Sequence, residues 1–333
     1  MTAAQRRSLR GPWRIAALYS VVILCWSCSW YASKLQGGVV DAFVSLVWRF
    51  GTAAPLMFGW AALGRQKLKF GWKVHLAFAP VGILMFSLNF AFAYHAVKLL
   101  PSGLVSVIFS LSTVTNMALV AVIFRRWPGI RSLMGAAFGV GGLALLFLGD
   151  IMPIDEIPGY WAGVFCGLAM TLTFSLGNVG SAWVQRRGVP VVSAAAWSML
   201  YGLLSSIGLA CASGTTFALD MSVAYVGSLL FLAIFGTLFA FSAYLELLRM
   251  VGPARAAYCT VWAPIGALAI SSHFEQFSWT KVAAGAVALI AVGNILVLWS
   301  GGGPGKNEMR QPGERELPPD DPLGIGRYRT GEG

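Results

Sequence analysis

Gly64-Arg65-Gln66-Lys67-Leu68-Lys69-Phe70-Gly71-Trp72-Lys73 sets four cations between two apolar runs, 40–63 and 74–96. Each run is long enough for a bilayer, which a helix crosses with about 20 residues. Outward from this stretch, basic clusters recur at every second gap: Arg6, Arg7, Arg10 and Arg14, then Arg125, Arg126 and Arg131, then Arg186 and Arg187, then Arg249 and Arg255. The alternate gaps carry acids: Asp41, then Asp150, Asp155 and Glu156, then Asp220, then Glu275, with Lys34, Lys98 and Lys281 as the cations near those ends. Short basic loops stay on the cytoplasmic side. The alternation therefore predicts ten spans with both termini inside: 13–34, 40–63, 74–96, 101–124, 129–148, 159–184, 189–212, 223–248, 253–274 and 279–300.

Composition points the same way. The chain is 57% apolar and 11% charged, where a soluble domain carries roughly a quarter charged residues, so an all-α integral membrane protein is expected. The net charge of +11 is spread over loops beside spans, which suits anionic lipid and excludes nucleic acid as a partner. The first run lacks a small-residue cleavage site and reads as a retained span. Cys25 and Cys28 form a C-x-x-C inside an apolar run, with no second pair and no nearby histidine, so no metal and no other cofactor is expected. No G-x-x-x-x-G-K-[ST] occurs, which excludes a chain-borne ATP motor of that type.

The ten spans halve into a repeat. Ala93-Tyr94, a cation, Pro101-Ser102-Gly103, a span and a glycine-rich span recur as Ala243-Tyr244, Arg249, Gly252-Pro253-Ala254, a span and a run with Gly285 and Gly293. Trp26 falls near Phe174, and Val47-Trp48-Arg49 near Ala196-Trp197-Ser198. Five spans per unit is an odd number, so the second unit enters the membrane from the opposite side, giving two inverted five-helix repeats around a central cavity. The predicted divisions are a basic cytoplasmic N-terminus (1–12), a first repeat (13–148), an acidic extracytoplasmic loop (149–158), a second repeat (159–300) and a disordered cytoplasmic tail (301–333) whose five cations and six acids nearly cancel. Gly135, Gly139, Gly141 and Gly142 in the fifth span and Gly285 and Gly293 in the tenth allow close helix approach in lipid. They serve packing within a monomer or the interface of a homodimer.

Trp26 to Lys34 reads W-S-x-S-W-x-x-x-K, with Arg49 inside the next span, the Tyr94–Gly103 connection, and then Pro264, Glu275 and a glycine-bearing last span in the second half. In this order these features resemble two EamA units of the drug/metabolite transporter superfamily, over roughly 13–300. Asn89, five residues before Tyr94, is similar to the amino-acid exporters of that superfamily, including the aromatic type. The resemblance implies an outward-directed carrier with a cavity between its halves. The first unit departs from the second in having Thr113 in place of Pro264 and Phe124 in place of Glu275.

The candidate substrate-binding residues are Trp26, Trp30, Arg49, Asn89, Tyr94, His95, Asn116, Asn178, Trp197, Tyr201, Tyr258 and Trp262. Arg49 is the cation far from any span end, and a buried arginine costs about 2.5–3.5 kcal/mol on insertion scales. It either takes a substrate carboxylate in the cavity, or bonds backbone carbonyls or Asp41. Asn89, Asn116 and Asn178 carry amides that need partners in lipid, unlike the neighbouring hydroxyls, which can bond their own helix. Tyr94 and His95 gate or bind, or sit in the interfacial belt. Trp26 and Trp30, Trp197 and Tyr201, and Tyr258 and Trp262 are spaced i, i+4, each pair sharing a helix face that either walls a pocket or packs. Glu246, the acid inside a span, pairs with Arg249 at i+3 on this reading, leaving no midplane carboxylate for ion coupling.

The function expected is secondary, facilitative export of amino acids or related metabolites across the inner membrane by alternating access. A drug or cation efflux carrier is the alternative. An embedded enzyme or a channel is disfavoured, since His75, His95 and His273 all lie near span ends and no H-E-x-x-H is present.

Overall fold

The computed structural model describes residues 3–38, 40–125, 127–148, 158–251, 258–275 and 279–300. These are helical throughout, apart from short connections. In chain order the helices are α1 (Ala3–Leu35), α2 (Ala42–Leu63), α3 (Trp72–Gly82, Ile83–Leu88 and Asn89–Leu99 end to end), α4 (Ser102–Ser110 and Ser112–Phe124), α5 (Ile130–Leu148) and α6 (Tyr160–Arg186). They continue with α7 (Val191–Ala212), α8 (Val223–Leu230, Phe231–Phe239 and Ala240–Val251), α9 (Cys259–Phe274) and α10 (Lys281–Ser300). Among the described residues, eight helices are long and apolar enough to cross a membrane, and the shorter apolar helices Ile130–Leu146 and Cys259–Phe274 accompany them. Large apolar side chains such as Leu24, Phe165 and Leu204 remain more than half uncovered on the outside of the bundle, where lipid replaces water.

Helix ends follow from local chemistry. Asp41 caps α2 by accepting from the backbone N–H groups of Phe43 (2.8 Å) and Val44 (3.4 Å), satisfying donors a helix start leaves open. Ser222 caps α8 at the Tyr225 N–H, and Thr280 accepts from the Ala283 N–H at the start of α10. α1 reaches back to Ala3, ten residues before the span expected to begin at Trp13. The turn expected at Gly252-Pro253, most of the acidic loop and the 301–333 tail lie outside the described residues.

Packing interleaves the two halves. α2 lies along α7, α5 along α10, and α4 against α9, while α1 packs on α8 and α9 and α6 packs on α3 and α4. The α5–α10 crossing is backbone on backbone: a Cβ built on Gly135 lies 2.6 Å from the Gly293 carbonyl oxygen, and one on Gly293 lies 2.6 Å from that of Gly135. Only glycine fits such an approach, which in lipid is held by close contact in place of a hydrophobic force.

Two helices depart from regular α geometry at mid-span. Ile83–Leu88 in α3 and Phe231–Phe239 in α8 are π-helical; the Asn89 N–H reaches the Leu84 carbonyl and the Ala240 N–H that of Phe235, each five residues back. A polar side chain donates to a carbonyl inside each segment, Asn89 Nδ2 to Met85 O at 3.2 Å and Thr237 Oγ1 to Leu232 O at 2.8 Å. π turns within α-helices gather at functional sites. α4 also breaks at Leu111, whose N–H turns back to the Ile108 carbonyl.

Candidate functional site

Three groups of side chains carry the polar and aromatic candidates. The first joins α2, α3 and the turn after α1, all in the first half of the chain. Arg49, 3% exposed, places its guanidinium carbon 4.3 Å from the ring centre of Phe90 and 5.6 Å from that of Phe50. Such contacts contribute about 2 kcal/mol when desolvated. The Tyr94 hydroxyl faces the same guanidinium and donates to Gln36 Oε1. Arg49 Nε and Nη1 and Gln36 Nε2 have no hydrogen-bond partner among the described residues. Of the two readings of Arg49, a bond to Asp41 or to backbone carbonyls is not found among the described residues: Asp41 is engaged in capping α2, and aromatic faces with the Tyr94 hydroxyl surround the guanidinium.

Tyr94 also lines a cavity of about 130 Å³ together with Gly37, Gly38, Val40, Asp41, Ala42, His95 and Lys98. His95 is exposed there, its Nδ1 2.8 Å from the Ala91 carbonyl oxygen of its own helix. Asn89, one turn deeper on α3, is 4% exposed and leaves its Oδ1 without a partner among the described residues.

The second group is an aromatic and hydroxyl seam between α1, α4, α6 and α9. The Trp30 ring centre is 5.3 Å from Phe109, and Phe109 is 4.7 Å from Phe174. Trp26 packs 5.3 Å from Tyr244 on α8. Ser27 Oγ donates to the Ala263 carbonyl on α9 at 2.9 Å, and Ser175 Oγ to the Ser112 carbonyl on α4 at 3.5 Å. Ser106, Ser110, Thr115 and Thr173 return their hydroxyls to their own helices. Asn116 Oδ1 is buried and unbonded among the described residues, while Asn178 is half-buried on α6. Tyr258 is half-buried at the start of α9, and Trp262 is 56% exposed.

The third group is polar and joins the ends of α1 and α9 to the start of α4. Glu275, its side chain 4% exposed, accepts from Lys34 Nζ at 2.6 Å, from the Ser102 N–H at 2.8 Å and from the Ser102 hydroxyl. One carboxylate thereby ties the ends of α1 and α9 to the N-terminus of α4, where the helix dipole favours an anion. At the opposite end of α1, Arg14 Nη2 lies 2.8 Å from Glu246 Oε1 in a more exposed pair. Glu246 thus has a partner on α1 that spacing did not suggest; the Arg249 side chain lies outside the described residues.

Trp197 and Tyr201 lie elsewhere. The Tyr201 hydroxyl is 3.2 Å from His75 Nδ1, the Trp197 ring sits edge-on to His75 (4.4 Å) and to Phe58 (5.1 Å), and its indole N–H donates to the Leu68 carbonyl at 3.0 Å. They anchor the α2–α3 connection to α7. Gln36, Phe109, His75 and the Lys34–Glu275 pair were absent from the expected site. The signal for the pair was present, since Lys34 and Glu275 fall on the same side in the charge alternation.

The EamA-like transporter family profile matches the chain twice, over residues 13–148 and 161–299. A relative in Synechocystis sp., the uncharacterized transporter sll0355, is 26% identical over 255 residues, covering 72% of this chain and 73% of the relative. The uncharacterized transporter YoaV of Bacillus subtilis is 21% identical over 277 residues, covering 83% of this chain and 91% of the relative. A solved crystal structure of a protein aligns with a TM-score of 0.60 at 19% identity, over 85% of this chain and 95% of that one. That similarity is one of fold.

Proposed function

Because the chain belongs to the EamA-like transporter family, we propose that this multi-pass membrane protein is a facilitative secondary carrier exporting amino acids or related metabolites across the inner membrane by alternating access. Ten crossings form two inverted five-helix units, 13–148 and 159–300, joined by an extracytoplasmic loop, with both termini cytoplasmic. The chain works with amino acids and the lipid bilayer as its partners, as a monomer or a homodimer. Substrate passes through the seam between the units, past Trp26, Trp30, Asn89, Asn116 and Asn178, with Tyr258 and Trp262 at its side.

The observation that carries this reading is the exchange pattern of the packing. Swapping α1–α5 for α6–α10 in order turns each principal contact into another: α1 on α9 becomes α6 on α4, α1 on α8 becomes α6 on α3, α3 on α7 becomes α8 on α2, and α2–α7, α4–α9 and α5–α10 map onto themselves. The π segments of α3 and α8 exchange as well. Inverted units related in this way support a site that opens to either side in turn. The Lys34–Glu275–Ser102 cluster supports closure at one end of the seam.

Purified protein in liposomes, loaded with unlabelled amino acid and exposed to the labelled one, tests the proposal. Saturable counterflow that persists without a pH gradient is expected. Absence of counterflow for every amino acid, with saturable flux of lipophilic cations, overturns it. Impermeant thiol labelling at both chain ends tests orientation: equal protection from the outside is expected.

A further inference from the structure

The cluster around Tyr94 is one-sided in its chemistry. Among the described residues its unmet groups, Arg49 Nε, Arg49 Nη1 and Gln36 Nε2, are all N–H donors, on side chains 3% and 1% exposed. A buried polar group without a partner is costly, and a guanidinium cannot shed its charge to escape that cost. What this place lacks is an acceptor, and a carboxylate is the acceptor that a guanidinium fork fits best. Tyr94, which faces Arg49, forms a wall of the 130 Å³ cavity where Lys98 and Asp41 stand at the rim. Asp41 uses Oδ1 for its cap, which leaves Oδ2 to accept from a cation.

We propose that this cavity, with Arg49 behind Tyr94, is a binding site for the charged head of an α-amino acid. The carboxylate is taken by Lys98 at the rim and by the Arg49 guanidinium when Tyr94 turns aside, and the ammonium by Asp41. The site rests on the amino-acid carrier reading for its role and stands apart from the aromatic seam. It selects zwitterions over amines and over neutral amides, so the side chain of the amino acid is left outside the cavity and weakly discriminated.

The test is thermal unfolding of the full chain in detergent with four probes: L-phenylalanine, hydrocinnamate (no ammonium), L-phenylalaninamide (no carboxylate) and phenethylamine. Both acids are expected to raise the midpoint and the other two to leave it unchanged. Lys98→Gln should raise the half-maximal concentration at least threefold for both acids. Asp41→Asn keeps a capping side chain and should do so for phenylalanine alone. Arg49→Lys should abolish both responses; should that variant fail to fold, the rim variants decide. Equal stabilisation by the amide, no shift with either acid, or unchanged concentrations in Lys98→Gln and Asp41→Asn overturns the proposal. Liposome counterflow separates it from the carrier reading: acid binding without flux leaves the site standing and removes the carrier, and flux indifferent to these variants does the reverse.

Discussion

Trp48 and Trp197 make the same bond on opposite halves: each indole N–H donates at 3.0 Å to a loop carbonyl of the other half, Trp48 to Ala218 and Trp197 to Leu68. Trp48 lies on α2 and reaches the α7–α8 connection; Trp197 lies on α7 and reaches the α2–α3 connection. Each anchor holds the loop by which its partner half turns back. Replacing either tryptophan by phenylalanine removes one donor, a loss of about 1 kcal/mol. The thermal midpoints of Trp48→Phe and Trp197→Phe should fall by similar amounts, and those of the double variant by their sum, since no shared partner couples them. A strongly non-additive double variant contradicts independent anchors.

The two ion pairs of α1 should differ sharply. Glu275 is buried with a backbone N–H and a hydroxyl among its donors, and breaking such a pair costs about 3 kcal/mol or more. The Arg14 side chain is 61% exposed, and pairs of that kind contribute at most about 1 kcal/mol. Denaturant midpoints should therefore drop much further for Glu275→Ala than for Arg14→Ala. Equal drops rule out a structural hold at Glu275.

At the α5–α10 crossing, Gly293→Leu should prevent stable folding, because the added carbons meet Gly135 O and Gly139 N. Gly285 lies on the same helix with no atom within 4 Å of a built Cβ. Gly285→Ala should hold or raise the melting midpoint by restoring up to about 1 kcal/mol of helix propensity. Size exclusion in detergent reads the first as loss of the monodisperse peak, and a thermal melt reads the second.

The π segments should be the weak points of their helices. Amide hydrogen exchange is expected to be faster across Ile83–Leu88 and Phe231–Phe239 than across Asn89–Leu99 and Ala240–Tyr244, because fewer regular bonds hold them. Thr237→Val, which removes the Leu232 bond, should accelerate exchange further in the second segment. Uniform exchange along α3 and α8 excludes a local weakness.

Most spans were readable because hydropathy and charge both report on lipid, residue by residue, and neither requires knowing what touches what. The correspondence of Trp48 with Trp197 was also visible, as a shared neighbourhood of sequence, although what the two bind was not. Gln36, Tyr94 and Arg49 meet from two helices and the turn after a third, a coincidence no spacing encodes. Asn89 was read as a cavity amide, but part of its bonding is spent on the Met85 carbonyl of a π turn, a change of hydrogen-bond register to which apolar patterning is blind. Trp197 and Tyr201 share a face as expected, yet that face holds a loop through His75 and Leu68. Phe109 is not legible in this way, since one phenylalanine among many apolar neighbours carries no mark of its place between Trp30 and Phe174.

The Gly135–Gly293 contact has an outcome for tolerance to change. A substitution at Trp48 leaves its counterpart in the other half intact, so injury there is partial. The glycines have no such spare: each is the other's neighbour, and one mutation at that junction injures both halves together.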